Sequence, residues 1–262
     1  MTAVETQGSG LSDLARRYTR ADLGVFTADE ALRFASLGAD LSTGPLSEPL
    51  AWEILYRLEP QLYDRWAAAE RLHPGILEWL PASPRRVLEV GAGSGRLTME
   101  LVDRCEQLIA TEPAGGLRAI LGQRLAEQGV PNASLVDAFA DSLPVDDGWA
   151  DLVVACSVLT PYGAHGGDAG LKELERACAP GGTVLIVWPN NLDWLADRGY
   201  IHVSFPGEMW LEFRSPDEAT ELVEAFYPRA AGEVRQRGDR RVPYSTIGIN
   251  PPRDLAYRLL QR

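Results

Sequence analysis

Cysteine, histidine and positive charge are all scarce in this chain, and each scarcity removes a class of function. Its 262 residues include three cysteines, Cys105, Cys156 and Cys178, and three histidines. The cysteines are far apart and form no C-x-x-C pair, so no disulfide framework is expected, and a reducing, cytoplasmic setting fits. Scattered histidines with no cysteine or carboxylate at ligand spacing argue against a metal site. The 25 basic residues are outnumbered by 37 acidic ones, a formal net charge of −12. Such a surface repels phosphate backbones and anionic bilayers, so no nucleic acid and no membrane is expected as partner; small molecules or proteins remain. Long apolar runs are also missing, the best being broken pieces such as "ADLVVACSVL". The opening "MTAVETQGSG" lacks a basic segment followed by an apolar one, so residues 1–10 read as a disordered tail rather than a signal peptide.

What is present falls into two unlike halves. Residues 11–82 place apolar side chains at three and four spacings, the pattern of a helical cap. Thr27 followed by Glu30 reads as a capping box, and Ser47 as the N-cap of a third helix. After the linker "PASPRR", residues 83–262 alternate between strand and helix signals: "RRVLEV", "GRLTMELVDRC", "QLIATE", "GLRAILGQRLAEQG", "NASLVDA", "ADLVVACSV", "DAGLKELERACA" and "TVLIVW". This alternation predicts an α/β, Rossmann-like doubly wound sheet, mostly parallel. In the tail, "SPDEATELVEAFY" reads as a helix capped by Ser215 or Asp217, while "EVRQR" and "DLAYRLLQ" read as antiparallel strands closing the C-terminal edge. Residues 189–214 and 238–253, rich in proline, glycine and aromatics, read as irregular loops that shape a substrate site.

The most informative stretch is "VLEVGAGSGRL", residues 87–97. In a doubly wound sheet the first strand-to-helix turn brings backbone close to a ligand at the carboxyl ends of the strands. Gly91, Gly93 and Gly95 form that turn, with Ala92 between them, but Arg96 stands where a dinucleotide fingerprint needs its third glycine. Glu89, just before the glycines, repels a pyrophosphate and attracts an ammonium or sulfonium. Glu112 ends the second strand in "IATEP", placed to accept from both hydroxyls of a ribose. A nucleoside with a cationic amino acid at its other end satisfies both acids.

On these residues, together with "FADSLPVDDGWADLVVACSV" and "PGGTVLIV", the segment of about residues 85–188 resembles the class I S-adenosylmethionine-dependent methyltransferases of the small-molecule group. The resemblance implies S-adenosylmethionine as cofactor, with Glu89, Gly91, Ala92, Gly93 and Gly95 around its methionine moiety, Glu112 on the ribose and Pro113 against the adenine. Relatives read the adenine edge with the aspartate of a D-A-x-x-L-P segment. Here that segment is "FADSLP", so Phe139 replaces the aspartate, Ala140 offers its backbone amide, and Asp141 and Asp137 are the nearest acids. Cys156 ends the fourth strand beside the cofactor.

Methyl transfer to an ionisable acceptor is helped by a base. His165 and Tyr162, in the glycine-rich loop "TPYGAHGGDAG", are the first candidates, since neutral imidazole is the natural base near pH 7. His202, in "GYIHVSFPGEMW", competes, whereas His73, before Pro74, reads as structural. Tyr56 and Tyr63 are one heptad apart and can face the cleft, and Trp188, Trp194, Trp210 and Phe213 flank the loop after the fifth strand, walls that suit a planar or lipophilic substrate. The expectation is methyl transfer to an O or N atom of a small, apolar or aromatic metabolite. The alternatives are a non-methylating protein that keeps the cofactor pocket and, against Arg96 and Glu89, a nicotinamide-dependent reductase.

Overall fold

In the computed structural model, residues 12–38 and 46–261 are described; the expected N-terminal tail lies outside them. Among the described residues nine strands form: β1 (Arg86–Val90), β2 (Gln107–Thr111), β3 (Ala133–Val136), β4 (Ala150–Cys156), β5 (Cys178–Val187), β6 (Ile201–Ser204), β7 (Trp210–Glu212), β8 (Arg241–Pro243) and β9 (Asp254–Leu259). Seven of them make one sheet in the order β3-β2-β1-β4-β5-β9-β6, while β7 and β8 pair separately. Strands β1 to β5 run parallel, and β9 enters antiparallel between β5 and β6. The sheet therefore has the expected mostly parallel, doubly wound form. The order in which strands are added reverses between β1 and β4, which opens a crevice at their carboxyl ends.

The central strands explain their own burial. Alternate side chains of "VLEV" and its neighbours go to opposite faces. Val87, Leu152, Val154 and Leu185 join one cluster with Leu121 and Leu125, whereas Leu88, Val153, Val184 and Ile186 join another with Leu171 and Leu174. Twelve α-helical segments of the described residues accompany the sheet. In the N-terminal part they are α1 (Leu14–Arg17), α2 (Ala28–Phe34), α3 (Glu48–Leu58), α4 (Pro60–Ala69) and α5 (Pro74–Trp79). Along the sheet lie α6 (Thr98–Leu101), α7 (Gly115–Glu127), α8 (Gly167–Ala177) and α9 (Leu192–Ala196), followed by α10 (Pro216–Phe226), α11 (Pro228–Arg237) and α12 (Tyr244–Ile247). The Thr27–Glu30 capping box is formed, and the Ser47 and Ser215 side chains each accept from a backbone N–H three residues on.

Several local expectations change. "EVRQR" is not a strand: Val234 is buried with Ala230 and Ala231 on one face of α11, a helix opened by Pro228. The outer edge of the sheet is β6 instead. The helix expected over "GRLTMELVDRC" is confined to the single turn of α6. The stretches read as irregular loops hold α9, β6, β7, β8 and α12. Burial of Leu211 and Val242, paired across β7 and β8, makes these short strands possible.

A third hydrophobic cluster lies outside the sheet. It joins Leu14, Phe34, Leu50, Ile54 and Trp66 of the N-terminal helices to Phe213, Leu222, Phe226, Val234 and Tyr244 from the C-terminal part. The N-terminal helices thus bury their apolar stripes against α10 to α12 rather than against each other alone. No helix among the described residues is long and apolar enough to cross a membrane.

Candidate functional site

The crevice at the switch point is built around the glycine turn. Gly91, Gly93 and Gly95 have φ of 70°, 59° and 104°, a region closed to most side chains. A Cβ at Gly91 would collide with Val158 and one at Gly95 with Leu121, so close packing requires glycine at both. Gly93 faces a wider space, where the nearest atom to such a Cβ is the Tyr63 ring at 3.7 Å.

Two carboxylates converge on this turn. Glu89 is only 1% exposed, and the Thr98 hydroxyl donates to it at 2.6 Å. Burial pushes its carboxyl up to about 8, against the Thr98 hydrogen bond, which favours the ion. Glu112 closes β2 and accepts from the N–H of Gly93 at 2.9 Å and of Ala114 at 2.8 Å. Burial pushes it up to about 7 despite both bonds. A buried acid raised in this way is stabilised most by an arriving cation or a donor pair. An ammonium suits Glu89 and a diol suits Glu112, so the donor set fits an aminoacyl nucleoside.

Arg96 follows the glycines and runs under the cap. One of its Nη atoms donates to Glu70, at the end of α4, at 2.5 Å, and Glu70 also accepts from the Trp66 indole at 2.8 Å. The other Nη reaches Cys156 Sγ at 3.6 Å, and the Trp188 ring lies 5.2 Å from the guanidinium carbon. Burial pushes the Cys156 thiol up although Arg96 is beside it, so Cys156 meets the cation as a neutral thiol. Ser157 and Trp188, just past the ends of β4 and β5, have φ of 57° and 50°, the two non-glycine residues with positive φ among those described. Backbone strain of this kind persists where surrounding structure enforces it and gathers at functional sites.

Aromatic side chains of α3 and α4 gather beside the glycine turn. Tyr56 and Tyr63 meet edge to face with centroids 4.8 Å apart, and Trp52 stands 6.4 Å from Tyr63. Between Tyr63, Ala67, Glu89, the glycine turn, Arg96 and Cys156 a cavity of about 20 Å³ remains. A larger concavity, about 460 Å³, lies at the amino ends of β1 to β3, lined by Arg85, Arg86, Glu106 and Asn132. That is the wrong end of a doubly wound sheet for a ligand site.

The adenine-side candidates are all engaged. The Arg33 guanidinium of α2 stacks 4.0 Å from the Phe139 ring centre and donates to Asp141 at 2.9 Å. Asp137 pairs with Arg118 at 2.9 Å, and Arg118 also reaches the Pro113 carbonyl at 3.2 Å. Ala140 is buried.

The histidines separate. His165 ends a 3-10 turn, Gly163–His165, and its side chain is 17% exposed. Its Nδ1 is 3.2 Å from the Thr160 hydroxyl and its Nε2 is 3.3 Å from Glu53 of α3. Glu53 also takes an Arg57 hydrogen bond at 2.7 Å. Tyr162, in contrast, is 59% exposed. His202 is not in a loop on the same rim: it belongs to edge strand β6, with its side chain 41% exposed and 3.6 Å from Asp254. Strands β5 and β9 separate it from β4. His73 caps α5 and stacks on Phe205. Sequence reasoning missed Glu53, Glu70 and Arg33 as neighbours of the site. The i, i+4 spacing of Glu53 and Arg57 was a visible signal for one of them; nothing local marked the other two. Among the described residues, no group of three His, Cys, Asp or Glu side chains is placed to hold a metal ion.

Part of the chain matches a known family. Residues 87–182 match the family described as a methyltransferase domain. An uncharacterised methyltransferase of Mycobacterium tuberculosis is 34% identical over 138 residues, 49% of this chain and 51% of that protein. The trans-aconitate 2-methyltransferase of Acidovorax ebreus is 32% identical over 143 residues, 52% of this chain and 51% of its own length. The chain thus spans about half the length of the curated relatives it matches. A SAM dependent methyltransferase structure from Aquifex aeolicus superposes with a TM-score of 0.41 at 14% identity, covering 61% of this chain and 86% of that one.

Proposed function

We propose that this chain, which carries a class I S-adenosylmethionine-dependent methyltransferase domain, moves the cofactor's methyl group to an O or N atom of a small, apolar or aromatic acceptor. The observation that carries this reading is the pair of buried acids at the glycine turn. When bound, S-adenosylmethionine supplies an electrophilic methyl. Glu89 takes the ammonium and Glu112 the ribose hydroxyls, while the Gly93 N–H stays tied to Glu112 and keeps the turn closed. Phe139 offers its ring face to the adenine once Arg33 swings aside.

Most of the acceleration on this reading comes from holding donor and acceptor in line and excluding water. Trp52, Tyr56 and Tyr63 supply the apolar cover. His165 is the base for an ionisable acceptor: Glu53 accepts from Nε2–H, which leaves the lone pair on Nδ1, now beside the Thr160 hydroxyl, to take the acceptor's proton in the transition state. A cofactor of this size needs far more room than about 20 Å³, so α3 and α4 must move off the turn for loading, and residues 11–82 act as a movable cap.

The test is calorimetry with S-adenosylhomocysteine, followed by mass spectrometry of a small-molecule extract incubated with S-adenosylmethionine. Micromolar binding and a product heavier by one methylene are expected. Absence of binding, or tighter binding of a nicotinamide dinucleotide, overturns the reading.

A further inference from the structure

We infer that Arg96 is a carboxylate-docking cation, held by Glu70 while the cap is down and handed to a carboxylate of the incoming ligand when the cap lifts. The inference deepens the proposed function by assigning a ligand chemistry to the far side of the crevice. A guanidinium presents a planar fork that matches a carboxylate with two parallel bonds. Arg96 uses half of that fork on Glu70, at 2.5 Å, and turns the other half to a thiol at 3.6 Å. A neutral thiol is a weak acceptor for a buried cation. Arg96 and Cys156 line the same cavity as Glu89, Gly91 and Gly93.

The exchange follows from which element carries each group. Glu70 ends α4, the helix that also sets Tyr63 over Gly93. A movement that clears Tyr63 from the turn withdraws Glu70 as well. Arg96 stays behind, fixed to the glycine turn and flanked by Trp188 and Cys156. A buried charge stripped of its partner is strongly destabilising, and an entering carboxylate removes that penalty. Opening without such a ligand is therefore disfavoured. The acid group has two sources, the amino-acid carboxylate of the cofactor or a carboxylate on the acceptor.

The experiment compares the whole protein with Arg96→Gln and Glu70→Gln. Its probes are S-adenosylhomocysteine, 5′-methylthioadenosine, which has the nucleoside thioether but no amino acid, and succinate or benzoate added to protein saturated with S-adenosylhomocysteine. If the cofactor supplies the carboxylate, Arg96→Gln weakens S-adenosylhomocysteine about 10- to 100-fold and leaves 5′-methylthioadenosine unchanged. If the acceptor supplies it, S-adenosylhomocysteine binding is retained, and succinate or benzoate raises the melting temperature of the wild type but not of Arg96→Gln. In both cases Glu70→Gln, which keeps the cation and removes its internal competitor, tightens the carboxylate-bearing probe; this arm stands even if Arg96→Gln does not fold. Unchanged binding of every probe in the folded variants, or a Glu70→Gln variant that binds no probe more tightly, overturns the inference. Failure of S-adenosylhomocysteine to bind the wild type would instead count against the cofactor reading, and succinate or benzoate added to the unliganded protein would then test Arg96 alone.

Discussion

The sheet and the cap of this protein are held together by different physics. In the sheet, Val87, Leu88, Val153 and Leu185 are fully buried aliphatics, and every central strand is laddered to its neighbours. The cap is joined to α10–α12 by a mixed aliphatic and aromatic cluster, and to distant parts of the chain by arginine–carboxylate pairs. Arg17 pairs with Glu59, Arg65 with Glu221, Arg124 with Asp64, Arg33 with Asp141 and Arg96 with Glu70. Four of those pairs, from Arg33, Arg65, Arg96 and Arg124, tie cap elements to residues 83–262. Aliphatic burial is insensitive to salt and tolerates no displacement, whereas the more exposed of these ion pairs break at small cost; the buried Arg96–Glu70 pair does not, unless a ligand replaces the partner. The contrast teaches that one chain can join a sheet fixed by aliphatic packing to helices held over it partly by charge.

The largest expected effect sharpens the contrast from the sheet side. Glu89 ionises near 4.5 when unfolded and near about 8 when folded without ligand. Between those values the folded protein holds a proton that the unfolded chain has lost, so stability falls as pH rises through the window and levels off above it. The gap corresponds to at most about 5 kcal/mol. Glu89→Gln should therefore be more stable than wild type above pH 8 and lose most of this slope, as urea titrations at pH 5 and pH 9 would reveal. Equal slopes in the two proteins would mean that Glu89 is solvated. A cation that binds Glu89 should release a proton near pH 7, visible as a calorimetric enthalpy that depends on the buffer.

A slightly smaller effect tests the seam between the two regions, since His165 follows β4 and Glu53 belongs to the cap. His165→Ala should lower turnover by about 10²- to 10⁴-fold with cofactor affinity retained. Glu53→Gln should lower it less and move the pH profile, because it only directs the imidazole. Full activity of His165→Ala from pH 6 to 9 would leave methyl transfer to proximity alone.

The smallest effect separates the regions directly. Exposed ion pairs contribute about 0.2 to 1 kcal/mol each and weaken with salt. In 1 M salt, amide exchange of α3 and α4 should accelerate several-fold while β1 and β4 stay protected, and S-adenosylhomocysteine should slow it again. Equal acceleration in sheet and cap would erase the distinction.

Much of the sheet was legible because its signals are local. A strand buried on both faces announces itself as an apolar run, and a turn needing positive φ shows its glycines. Acids that follow a strand by one residue are placed by that strand. The N-caps at Thr27, Ser47 and Ser215 depend on neighbours three residues away. "EVRQR" was misread because its helical partners, Ala230 and Ala231, lie outside the five residues whose alternation suggested a strand.

By itself, then, the sequence determined the doubly wound sheet, the glycine turn and the two acids beside it, since each is specified by residues within a few positions of one another. Only the tertiary structure decided that Glu53 faces His165, that Glu70 holds Arg96, that Arg33 covers Phe139 and that His202 stands apart on an edge strand. Those pairings join groups far apart along the chain. An arginine or glutamate has the same local pattern whether it meets solvent or a buried partner, and only packing of the cap on the sheet distinguishes the two.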